Sequence, residues 1–200
     1  MKLPPRPILL VFLFTFAVAE LAAQVAPVVV NRVRFDDDVR PYDWTRIAIE
    51  LEANAIEDPQ AVNPEYIDNI EIELSSAYDR GDDTFAFFTA KAEIMTLKVG
   101  EPKTVMFWIP KAIMERGNLR AEPKFWVVEL AAGGRSLQVK KDNASRELQK
   151  TGATGLANFK RMLSENIGPN SGVMLPHNLT PYYAASGSEM PPYKFIDPAQ

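Results

Sequence analysis

Cysteine is absent from all 200 residues, so no disulfide, thiolate nucleophile or lipid-modified cysteine can enter an account of this chain. Histidine occurs once, at His177, inside a Pro-rich C-terminal stretch. A Ser-His-Asp relay would have to borrow that residue, and no GxSxG elbow presents a serine to it. Basic excess is lacking too. Lys and Arg number 22 against 26 acids, a net charge of −4, and such a chain has no cationic stripe to neutralise phosphates, which argues against a nucleic-acid partner. A membrane-length apolar run is missing: the longest, Ile8 to Ala19, is too short to cross a bilayer comfortably. Carboxylate pairs of the glycosidase kind remain open on numbers alone. Those on the candidate strands alternate outward as surface charge does, so no enzyme activity and no cofactor are expected.

What is present begins with an export signal. Lys2 and Arg6 precede the apolar stretch Ile8 to Ala19, and "LAA" before Gln24 offers small residues for cleavage after Ala23, the layout of a secretory signal peptide. Residues 1–23 are therefore expected to be removed, placing the rest in the periplasm, on the outer surface or outside the cell. Pro27 follows closely and would break the long N-terminal helix that a pilin keeps after processing.

From Val28 to Lys140 the dominant period is two. Ile47, Ile49, Leu51 and Ala53 alternate with Arg46, Glu50 and Glu52, and Ile70, Ile72 and Leu74 alternate with Glu71, Glu73 and Ser75. Half-buried antiparallel strands require this alternation. Further candidates run over 28–35, 85–99, 103–109, 124–130 and 136–140. About seven strands punctuated by Pro, Gly and Asp predict a mainly β, immunoglobulin-like antiparallel sandwich over residues 24–140. In the 85–99 run Phe85 and Phe87 share one parity while Ala90, Ala92 and Ile94 hold the other, which reads as a bulge or a strand that changes sheets. "VGEPK" (Val99 to Lys103) and "AAGGRS" (Ala131 to Ser136) read as hairpin turns. Pro110 to Asn118 reads as a single helical turn connecting the sheets.

After Lys140 the grammar changes. Leu156, Phe159, Met162, Leu163 and Ile167 recur at helical spacing before Gly168 and Pro169, predicting one amphipathic helix of about three turns within 141–168. Residues 169–200 are rich in Pro and Tyr without a period and read as an extended tail.

Four features compete for a binding role. Arg80, Gly81 and Asp82 form an Arg-Gly-Asp triplet between two strand runs; a plain hairpin turn is the simpler reading, a receptor-binding tip the sharper one. Asp36, Asp38 and Asp43 lie together around Arg40 and could offer oxygens to a hard cation, although EF-hand spacing is missing and a solvated acidic loop explains them as well. Trp108 and Trp126 have the parity opposite to Phe107 and Phe125, so one aromatic on each strand could face outward and stack on a sugar; alternatively both sheet faces are covered, one by the core and one by the C-terminal helix. Finally, Tyr182, Tyr183, Tyr193 and Phe195 stand among prolines, as in segments that lie in an aromatic groove or add to an open sheet edge.

The runs "VNRVRFDDDVRPYDWTRIAIELEANA", "YIDNIEIELSSAYD", "AKAEIMTLKVGEPKTVMFWIP" and "LRAEPKFWVVEL" resemble a group of exported proteins of Verrucomicrobia that are encoded beside type IV pilus-like machinery. The resemblance spans about Val28 to Leu130. It implies an immunoglobulin-like fold akin to pilin headpieces and a place beside a pilus-like or secretion assembly, and it carries no catalytic residues. Without a pilin's leader and long helix, the chain looks like an accessory component. The expectation is thus a non-enzymatic module that binds protein partners of the cell envelope. The alternative is adhesion to glycans or host surfaces.

Overall fold

The computed structural model of the chain describes residues 26–37, 43–55, 63–81, 84–180 and 190–194. The signal-peptide stretch, Asp38, Asp82, Asp83, Tyr182 and Tyr183 lie outside them.

Two antiparallel sheets face each other. β1 (Val28–Asp36), β2 (Trp44–Ala53) and β5 (Lys103–Pro110) form one, with the two-residue β8 (Leu175–Pro176) at its far edge. β4 (Phe85–Lys98), β3 (Tyr66–Asp79), β6 (Phe125–Ala132) and the short β7 (Arg135–Ser136) form the other, in that order. The chain changes sheets after β2, β4, β5 and β7, and the order of the first six strands is the Greek key of an immunoglobulin-like sandwich. α1 (Lys111–Arg116) makes the crossing from β5 to β6.

The alternation sorts the faces as expected. Ile47, Ile49, Leu51, Ile70, Ile72, Leu74, Val105, Phe107 and Ile109 are all within 1 % of complete burial and meet between the sheets. Asn69, at φ 52°, is skipped in the pairing of β3 with β4, and this irregularity lets Ile67 join the same inward face as Ile70.

Two local expectations are corrected. Phe85 and Phe87 mark neither a bulge nor a change of sheet, because β3 and β4 pair without interruption from Ile70–Ile94 to Asp79–Phe85. Ala86, Phe88 and Ala90 face the inter-sheet core, whereas Phe85 and Phe87 meet Phe125, Val127, Leu148 and Phe159 on the outer face. A strand covered on both sides loses its alternation. The turn around Gly100 (φ 73°) is also no hairpin: β4 and β5 belong to different sheets, and Gly100 N–H donates to the Ala53 carbonyl of β2.

α2 (Arg146–Asn166) covers that second apolar face. It starts earlier than its apolar spacing suggests. Ser145 is its N-cap, accepting from Leu148 N–H, and the Ser145 N–H donates to the Trp126 carbonyl, which ties the helix start to β6. Met162 stands 37 % exposed, outside the face made by Leu148, Leu156, Phe159, Leu163 and Ile167. The helix breaks at Gly152, whose φ of 62° and ψ of −155° suit glycine alone. No atom would crowd an added Cβ there, so Gly152→Ala isolates backbone strain. It should cost about 1–3 kcal/mol in chemical denaturation, whereas the nearby Gly168→Ala, at ordinary φ with equal room, should cost far less.

The stretch expected to run as an extended tail is largely folded where it is described. Residues 168–180 make two 3-10 turns and β8, which pairs Pro176 and Leu175 with Phe107 and Trp108 of β5. Asn170, His177 and Thr180 are buried.

Candidate interaction site

Tyr193 sits at a seam between the sheets. The edge of β4 would otherwise present unpaired N–H and C=O groups. Residues 190–194 run antiparallel along it: Met95 N–H donates to the Pro192 carbonyl (2.8 Å), and Lys194 N–H donates to the Glu93 carbonyl (2.7 Å). Between those bonds Tyr193 pairs with Ile94 and sends its ring into the main core, 6 % exposed. Its hydroxyl accepts from Met106 N–H of β5 (3.2 Å). One side chain therefore bridges the two sheets at their open side. Outside, Lys194 Nζ meets Glu93 at 2.8 Å, and that carboxylate raises the Lys194 amine above its ordinary range. Pro191 and Pro192 pre-set an extended backbone, which lowers the entropy lost on docking. A proline pair just before a tyrosine was the sequence signal for this seat, but no period identified its partner strand.

Trp108 lies on the face of β5 opposite Phe107 yet is 3 % exposed. Its Nε1–H donates to His177 Nδ1 (3.0 Å), with ring centroids 5.8 Å apart. Trp126 faces the inter-sheet core, packed on Phe35 at 5.9 Å. The outward sugar-stacking expectation is therefore corrected for Trp108, which is buried beneath the 168–180 segment; on β6 it is Phe125 that faces outward, partly buried with α2, while the partly buried Trp126 turns to the core. Because Nδ1 accepts, His177 is neutral in the fold, and burial pushes its pKa below the ordinary value. A depressed folded pKa stabilises above the unfolded value near 6.5 and is lost as pH falls through the folded value. Thermal melts should therefore drop as pH falls below about 6.5, and His177→Gln, whose side-chain oxygen can still accept the indole proton, should flatten that drop.

Of the Arg-Gly-Asp triplet after β3, Arg80 and Gly81 are described and exposed, while Asp82 lies outside the described residues. Gly81 has φ 90° and donates N–H to Asp79 Oδ1 at 2.8 Å; Arg80 N–H donates to the Thr84 carbonyl. Lys124 bonds the other Asp79 oxygen at 2.8 Å and, with the Gly81 N–H, holds the Asp79 carboxyl below its usual range. Arg80 is exposed and, with Arg116, Phe88, Ile113 and Leu119, lines a cleft of about 280 Å³ at this end of the sandwich. That volume falls under the range usual for small-molecule pockets.

Of the acidic candidates Asp36, Asp38 and Asp43, the first and last are described. Asp36 is tied to Arg46, with oxygen–nitrogen distances of 3.0 and 3.1 Å, and the Asp43 carbonyl accepts from Lys111 N–H. Among the described residues no three metal-ligating side chains converge, and no helix is long and apolar enough to cross a membrane.

A crystal structure from Akkermansia muciniphila, a member of the Verrucomicrobia, matches with a TM-score of 0.58 at 13 % identity, over 85 % of this chain and 93 % of that one. The likeness is one of fold. No family model matches the chain, and no curated protein matches it.

Proposed function

We propose that the chain is a non-enzymatic, exported immunoglobulin-like module that docks other proteins of the cell envelope at its sheet edges, as an accessory component of a type IV pilus-like or secretion assembly. The observation that carries this reading is the β4 edge. It holds an extended segment through main-chain hydrogen bonds at Met95 and Glu93 and takes its aromatic anchor between the sheets, which is how strand addition combines affinity with specificity. The polar surroundings of that edge suit a wet, surface-exposed interface: Glu93 and Lys194 flank it, and Lys91 of β4 pairs with Glu73 of the neighbouring β3. The fold shared with a verrucomicrobial protein supports the compartment by analogy alone.

The test is affinity capture from the envelope of the producing cell with the chain starting at residue 24. Components of the pilus-like or secretion machinery should be recovered, identified by mass spectrometry, and displaced by a synthetic peptide of residues 188–200. Recovery of none of those components, or recovery indifferent to the peptide, would count against the proposal.

A further inference from the structure

We propose that the seat on β4 also accepts the Met190–Lys194 strap of a second copy of this chain, so that copies assemble by exchanging C-terminal straps; this rests on the edge-docking reading above.

The seat recognises little beyond what every copy carries. Its contacts with the strap include the two main-chain bonds at Met95 and Glu93, the Tyr193 ring with its hydroxyl accepting from Met106 N–H, the Lys194–Glu93 ion pair and the Asn178 Nδ2 bond to the Lys194 carbonyl (3.5 Å). A strap from a neighbour would make each of these identically. Seating at home and seating abroad therefore differ only in how the strap is delivered. Nine residues, 181–189, join Thr180 to Met190, so seating at home is intramolecular while seating abroad depends on the concentration of copies. In dilute solution the strap stays at home. Where copies are crowded, as in an envelope assembly, exchange competes.

Geometry then sets the products. Reciprocal exchange closes a two-fold dimer, and one-way exchange leaves one vacant seat and one unused strap, which propagates head to tail. The vacated seam would expose a Tyr-sized apolar slot and unpaired strand groups, so a half-exchanged copy has reason to recruit another.

The cysteine-free chain permits a direct test. Glu93 and Lys194 face each other across the seam and are both partly exposed, so Glu93→Cys and Lys194→Cys should leave the fold intact. Chains carrying one substitution each are mixed and oxidised, and the cross-links are mapped by mass spectrometry. A 93–194 link between chains is expected, its yield rising about tenfold for each tenfold rise in chain concentration while copies are dilute. A single chain carrying both cysteines is the companion measurement. If it closes its internal link while the mixture gives no 93–194 dimer, exchange is wrong and edge docking stands. If it fails to close, the seat itself is wrong and both readings fall.

Discussion

Tyr193→Ala is expected to lower the folding free energy by about 3–5 kcal/mol, the range for emptying a buried aromatic site, although the residue lies seven positions from the C-terminus. The terms can be separated. Its ring belongs to the main core and is 6 % exposed, so the transfer and cavity costs fall on the sandwich. Tyr193→Phe keeps the ring and removes the oxygen that accepts from Met106 N–H; about 1 kcal/mol should be lost, the usual net worth of one hydrogen bond. Urea denaturation followed by tryptophan fluorescence measures both. A chain terminus that is merely draped over a fold tolerates truncation. A change under about 0.5 kcal/mol for Tyr193→Ala, within the range of an ordinary surface substitution, would place the strap outside the cooperative unit and remove the structural basis for edge docking.

That a single late residue closes the sandwich explains where sequence reading worked and where it stopped. Ile47, Ile49 and Leu51, or Ile70, Ile72 and Leu74, are inward because period-two alternation is a local consequence of strand geometry, visible without any partner. The sandwich and its first six strands follow from such runs. Tyr193 shows no period, because one residue held between two hydrogen bonds is too short to have one. The same holds for Leu175–Pro176 of β8, which is a strand only by virtue of β5. Phe85 and Phe87 were legible as apolar but not as the floor beneath α2, since double-sided burial erases the alternation by which a face is recognised. The residues around Gly100 announced a turn; turn chemistry dictates chain reversal, not which sheet receives the next strand. The Pro-Tyr segment reads as lying in an aromatic groove or adding to a partner's sheet edge; residues 190–194 pair with β4 of their own chain, and Tyr182 and Tyr183 lie outside the described residues. The aromatic parity at Trp108 and Trp126 was read correctly as two faces, but what covers the second face comes from residues far along the chain.

Trp108 makes that last point measurable. Trp108→Ala should cost about 3–5 kcal/mol and leave glycan-array signals at background both before and after the substitution, because the indole is 3 % exposed and packed against His177. The loss should spread along the chain. β8 pairs with β5 at Trp108 itself, and Thr180 is held by its N–H and hydroxyl bonds to the His177 carbonyl, so residues 168–180 should lose hydrogen-exchange protection together with the outer half of β5. Trp108→Phe separates packing from polarity: it keeps an aromatic body and removes the donor to His177 Nδ1, and it should cost less than the alanine variant. A double-mutant cycle with His177→Gln should then show coupling of about 0.5–3 kcal/mol, as residues in contact do. Full additivity of the two substitutions would mean that the indole and imidazole only happen to be neighbours. A glycan signal that Trp108→Ala abolishes without loss of stability would instead return the indole to the surface and revive the adhesive alternative, since a residue buried beneath the 168–180 segment cannot stack on a sugar without first losing its cover.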